Sequence, residues 1–157
     1  MLRRKGPRQT VDAGSSPVKV ILSGHEKFPV RHGWLKKGVD AAAANPQIFN
    51  QDEALVVLGV GKNMVRSIRH WCLATGLLAE EGGKGGGVQP TPLATRLLTA
   101  QGWDPFLEDV SSLWLLHWQL VTNPVRGAVW RALFGSYYEP EFNKAQLRTH
   151  VGRFLGV

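Results

Sequence analysis

Only one cysteine, Cys72, occurs in the 157 residues, so no disulfide can form within the chain. A lone thiol suits a reducing compartment, and the cytoplasm is the expected location. No Cys/His group has the spacing that tetrahedral zinc ligation needs, so no metal site is expected from ligand pattern. Long apolar runs are lacking as well. The longest, Leu113 to Val121, is broken by His117 and Gln119 and falls far short of the ~20 residues that span a bilayer. No membrane partner is expected. Met1 to Gln9 is basic but no apolar stretch follows it, so a signal peptide is not expected either. Acid is scarce: 12 Asp and Glu stand against 19 Lys and Arg, a formal charge of +7. The acids are scattered, which leaves no evident carboxylate pair for general acid–base chemistry.

What is present points to a small globular protein with a polyanionic partner. Hydrophobic residues make up 43% of the chain, enough for one core. The positive balance fits DNA, RNA or an anionic surface. Four of the cations (Arg3, Arg4, Lys5, Arg8) lie in residues 1–17, whose Arg, Gly, Pro and Ser content reads as a flexible basic arm.

Turn and cap signals divide the rest. Val18 to Leu22 reads as a short strand and Ser23 to Gly33 as a loop. A helix is expected over Trp34 to Ala44, stopped by Asn45-Pro46. A second is expected over Gln51 to Leu58, with Asn50 as cap and Glu53 completing a capping box. Gly59-Val60-Gly61 then turns the chain into a third helix from Lys62 to Thr75, closed by Gly76. Leu77 to Glu80 and Val88-Gln89 read as a hairpin around Gly82 to Gly87, with Pro90 confining the return strand to an edge. Thr91-Pro92 opens a helix to about Ala100. The fold class read from this order is mainly α with a small β wing: a winged helix-turn-helix over residues 18–102. Further helices are expected over Pro105 to Val121, Arg126 to Phe134 and Lys144 to Leu155, a Trp-rich extension over 103–157. Trp103, Trp114, Trp118 and Trp130 are expected to form its core. A chain that stops at Val157 soon after a helical stretch begins reads as truncated.

The stretch LGVGKNMVRSIRHW, Leu58 to Trp71, raises two readings. As a phosphate loop it fails, since Val56 stands where the first glycine belongs and Asn63 where a hydroxyl belongs. Met64 breaks the dinucleotide pattern after Gly59 and Gly61. As a helix it is amphipathic. Met64, Val65, Ile68, Trp71 and Cys72 share an arc of roughly 120°. Lys62, Asn63, Arg66, Ser67, Arg69 and His70 form the other side, which holds no acid. Arg and Asn suit base edges in the major groove, Ser and Lys suit phosphates, and Lys84 at the hairpin tip could reach a neighbouring phosphate. These seven are the expected DNA contacts. The competing reading is a basic surface that only solubilises, or pairs with acids elsewhere.

Ser23 to His32 is the other polar cluster. His25, Glu26 and Arg31 are the candidates for catalysis, a base and a charge stabiliser for phosphodiester chemistry. The plainer reading is a loop whose His and Glu cap a helix. His117 is expected to be a satisfied core histidine, and Cys72 a packing residue.

SGHEKFPVRHGWLKKG, IFN and LGVGKNMVRSIRHWCLATGLL together resemble a bacterial family of formerly unknown function whose members occur beside DNA phosphorothioation genes. The resemblance is clear over about residues 22–100 and looser beyond. It implies a role in a phosphorothioation-linked antiphage system, as its DNA-nicking endonuclease, cutting one strand so that sulfur can be installed. It carries no catalytic residue over, because no agreed motif maps onto this chain. Mg or Mn would be implied for nicking, although the residues display no ligand set. The expected partners are double-stranded DNA and other proteins of that system, with a homodimer possible in principle. The alternative is a non-catalytic winged-helix adaptor or a transcription regulator.

Overall fold

The computed structural model describes residues 19–82 and 85–156. The arm expected over 1–17, and Lys84, lie outside the described residues. Seven α-helices and a two-stranded antiparallel sheet make up the described chain.

Helix α1 runs from Trp34 to Ala44, as expected. Its buried residues, Trp34, Leu35, Gly38, Val39, Ala41 and Ala42, recur at three- and four-residue spacing. Gly38 decides how close α1 comes to the core helix α3 (Lys62–Ala74). A Cβ at Gly38 would lie 2.6 Å from Cys72 Sγ and 2.8 Å from Ile68 Cγ2, so only glycine fits there without a shift. Ile68 is completely buried at this crossing, and covering such a side chain contributes about 1.5–3 kcal/mol. The Cys72 thiol packs 3.7 Å from the Leu35 carbonyl, the packing role read from its place on the apolar arc.

The second helix is shorter than its cap signal suggests. A 3-10 turn occupies Ile48–Asn50 and α2 spans only Ala54–Leu58. Asn50 caps no helix. Its amide donates to Gln47 Oε1 at 2.7 Å and to the Gly85 and Gly86 carbonyls at 3.2 and 3.4 Å, which ties this turn to the hairpin. A side chain with a distant partner thus overrides a local cap preference.

Helix α3 ends in a Schellman motif. Gly76 takes the left-handed conformation (φ 68°), the Leu77 N–H donates to the Cys72 carbonyl and the Gly76 N–H to that of Leu73. Strand β1 (Leu78–Glu80) then pairs with β2 (Val88–Pro90), Leu78 opposite Pro90. The Val88 N–H reaches the Pro46 carbonyl at 2.8 Å, which holds the hairpin against the end of α1. Thr91 caps α4 (Pro92–Leu98) as expected, accepting from the Ala94 N–H.

Beyond α4, helix α5 (Val110–Thr122) begins five residues later than the sequence suggests. The delay comes from Asp104, whose carboxylate accepts the Glu108 and Asp109 N–H groups at 3.0 and 2.9 Å and closes a turn there. Burial pushes the Asp104 carboxyl up, and those N–H groups with the Ser112 hydroxyl outweigh it and hold it below the usual range. Helices α6 (Ala128–Ser136) and α7 (Lys144–Leu155) pack serially, α5 on α6 and α6 on α7. The extension is fastened to α3 by Asn123, whose amide donates to the Leu73 and Ala74 carbonyls at 3.2 and 3.0 Å.

Two further expectations fail. Residues 19–22 of the stretch read as a strand are irregular, and the Ile21 N–H bonds to the Val125 carbonyl. Of the four tryptophans expected in a core, only Trp130 packs against it; Trp103, Trp114 and Trp118 are 68%, 67% and 65% exposed.

Candidate nucleic-acid interface

The face of α3 expected to point outward does so only over its first turn and a half. Lys62, Asn63 and Arg66 are exposed. They follow Gly61, which supplies no side-chain cap, so the first N–H groups of the helix keep no side-chain partner. A hollow of about 200 Å³ beside them is lined by Asn50, Asp52, Lys62 and Arg66 among others.

The second half of α3 is buried except at Arg69. Ser67 is fully buried, with a hydroxyl that finds no hydrogen-bond partner, and His70 is 7% exposed. Both are expected from the sequence on the outward face. His70 turns inward because Gly24, His25 and Arg126 come up against it, a covering that a helical projection cannot anticipate. Arg69 is half-buried and bonds Glu80 Oε1 at 2.9 Å; Arg126 shares the same oxygen at 3.1 Å. Glu80 and Arg126 carry no signal of this role in the sequence. They lie 46 residues apart, and nothing local signals that they meet.

The 23–33 loop comes up against this half of α3. His25 to Phe28 is a tight turn closed by the Phe28 N–H on the His25 carbonyl at 2.8 Å. Its central residues, Glu26 (φ 48°) and Lys27 (φ 64°), are both left-handed, a geometry that usually selects Asn and Gly. The Lys27 N–H donates to His25 Nδ1 at 3.2 Å, and the Trp71 indole donates to the Phe28 carbonyl at 3.0 Å. So held, the turn brings Glu26 Oε1 to 3.7 Å from the Arg66 guanidinium and the His25 ring to 5.7 Å from that of His70. Gly24 is needed beneath them, since a Cβ there would meet His70 Nδ1 at 2.4 Å. Neither His25 nor Glu26 caps a helix. Arg31 does not join them; its guanidinium sits over Trp34 and Phe28, 5.4 and 5.9 Å from the ring centroids.

Burial, then the nearby His25 and Arg126, lower the His70 pKa to about 4, so its imidazole is neutral at pH 7. His25, His70, Trp71, His117, Arg126 and Trp130 are among the residues that line a mostly apolar cavity of about 660 Å³ behind α3. His117 is not a core residue: it is half-buried at that cavity, edge-on to Trp114 and Phe134. Among the described residues, no group of three or more His, Cys, Asp or Glu could hold a metal ion. No helix there is long and apolar enough to cross a membrane.

Residues 22–156 match the family described as "Protein of unknown function (DUF4007)". Two solved structures are similar to the chain. A magnesium ion-bound SspB crystal structure is 37% identical, with a TM-score of 0.78 over 85% of this chain and 42% of that one. A second SspB crystal structure is 37% identical, with a TM-score of 0.73 over 84% of this chain and 42% of that one. The chain therefore spans about two fifths of the length of the solved chains. No curated protein matches it.

Proposed function

The chain belongs to the DUF4007 family, and from that membership and its likeness to SspB we propose that it is a DNA-binding component of a phosphorothioation-linked antiphage system. In this reading, α2, the Gly59–Gly61 turn, α3 and the β1–β2 hairpin act as a winged helix-turn-helix. The observation that carries it is the exposed start of α3, where Lys62, Asn63 and Arg66 stand beside uncapped backbone N–H groups. Cations and free N–H groups at a helix start suit phosphate oxygens, and Arg and Asn suit base edges. Lys84, which lies outside the described residues, joins them as a proposed phosphate contact on its sequence position between β1 and β2.

Arg66 is held only loosely by Glu26, across 3.7 Å with its own side chain 57% exposed. Such a pair is worth about 0–1 kcal/mol, so duplex phosphates can compete for the guanidinium. Arg69 would first have to leave Glu80, and Ser67 and His70 are not assigned to the groove.

The finer proposal is that this DNA grip serves strand nicking, the activity implied by the family resemblance. His25 and Glu26 remain the candidates, because the turn sets them beside His70 and Arg66. Magnesium is present in one SspB structure; among the described residues of this chain no group of three or more His, Cys, Asp or Glu could hold it. The second reading is a non-catalytic adaptor that grips the duplex with the same exposed start of α3.

Titration of a short duplex at several salt concentrations tests the grip. Lys62→Ala and Arg66→Ala should each weaken binding and flatten the log–log salt slope by about 0.9. Unchanged affinity in both variants refutes the interface. Supercoiled plasmid with Mg²⁺ or Mn²⁺ separates the two finer readings. Open circles that disappear in His25→Ala or Glu26→Ala support nicking, and binding without relaxation supports the adaptor.

A further inference from the structure

Helix α5 carries no charged residue: VSSLWLLHWQLVT. Its buried side is Ser112, Leu116 and Leu120, which face the rest of the fold. At about 100° per residue, Val110, Leu113, Trp114, His117, Trp118 and Val121 occupy a second arc of roughly 140°. On that arc Val110, Leu113, Trp114 and Trp118 are exposed, and Trp103 and Phe106 extend the surface beyond the helix start. A helix apolar on both sides normally has something on both sides. Phe134 of α6 lies against His117 within this second arc, while among the described residues Val110, Leu113, Trp114 and Trp118 stay exposed.

We propose that this face is the interface of a homodimer, with α5 packed antiparallel on α5 of a second copy about a twofold axis. Three observations favour a second copy. First, the area is right. An aromatic side chain buries about 150–250 Å² when covered, so these six residues present on the order of 700 Å², close to the ~800 Å² per partner of a standard interface. Second, the chain carries +7 and repels its own copies, and among the described long helices α5 is the one on which an approach brings no like charge together. Third, the stripe is self-complementary. Trp114 and Trp118 lie one turn apart, so an axis passing between them sets Trp114 of each copy against Trp118 of the other, as an isologous contact requires. The opposed helix dipoles add to that arrangement.

The proposal does not depend on DNA binding and is tested without DNA. Sedimentation equilibrium of the full chain over about a hundredfold concentration range should give twice the chain mass at the upper end. Trp114→Glu alone and Trp118→Lys alone should each give a monomer, with an unchanged circular dichroism spectrum because both side chains face outward. Mixed together, the two variants should recover the double mass, since the acid of one copy then meets the amine of the other and the second Trp–Trp contact is retained. A monomeric wild-type chain at every concentration, or a polydisperse aggregate, overturns the dimer and assigns the face to a different polypeptide. A mixture that stays monomeric overturns the antiparallel pairing.

Discussion

Helix α3 and helix α5 each have 13 residues, and both put tryptophan among their apolar positions. In α3, Trp71 is buried against Phe28 and Trp130. In α5, Trp114 and Trp118 stand in solvent. The contrast extends to the regions around them. Within the described part of residues 34–98, the large exposed hydrophobics are Val56 and Val57; residues 103–155 display Trp103, Phe106, Leu113, Phe134 and Phe142, among others. The first region's core is closed, with Leu107, Leu116 and Leu120 of the second region among its members. The second closes half of one, and its outward surface suits a partner. Apolar content therefore does not tell a core from an interface; the number of apolar arcs per helix and the segments available to cover them do.

That contrast can be broken most sharply by truncation. Ile68→Ala opens a cavity where α1 crosses α3, and a loss of about 2–5 kcal/mol is expected. Trp118→Ala removes a larger side chain and is expected to change the stability of the monomer by no more than about 0.5 kcal/mol. Urea denaturation at a concentration too low for self-association compares the two. Equal losses would mean that the α5 face is part of the monomer's core.

A second expected effect is confined to the covered half of α3. The His70 pKa lies near 4 in the folded chain, against 6.5 for an unperturbed imidazole. Between these values the unfolded chain takes a proton that the folded chain refuses. Stability should therefore be complete above pH 6.5, fall as the pH drops toward about 4, and level off below it. The difference between wild type and His70→Gln isolates this contribution from the carboxylates; parallel pH profiles would show that His70 is not held neutral.

The smallest effect is expected where the two regions meet. Glu80→Gln releases Arg69 and Arg126 from a partly exposed ion pair, which should cost at most about 1 kcal/mol. If Arg69 then turns to the duplex, the salt slope of binding should steepen by up to about 0.9. A slope that stays the same would leave Arg69 as a structural tie between β1, α3 and the extension.

The elements built on local signals are legible in the sequence. Trp34–Ala44, the Gly76 C-cap, the Thr91-Pro92 start and Lys144–Leu155 all occur where caps and periodicity put them. Errors arise where a side chain has a distant partner. Asn50 holds the hairpin carbonyls, and Asp104 holds the N–H groups that delay α5. The candidate site divides in the same way. Lys62, Asn63 and Arg66 are readable as an outward polar face. The inward turn of Ser67 and His70, and the diversion of Arg69 to Glu80, depend on residues 10 or more positions away.

From the chain's chemistry alone come the positive charge, the single thiol and the apolar stripe of α3, because composition and a 3.6-residue repeat are local properties. Which polar residues of that helix remain in water, which tryptophans find a neighbour, and that Glu26 reaches Arg66 come only with the fold. Those outcomes depend on what covers each face, and the covering segments are far apart along the chain.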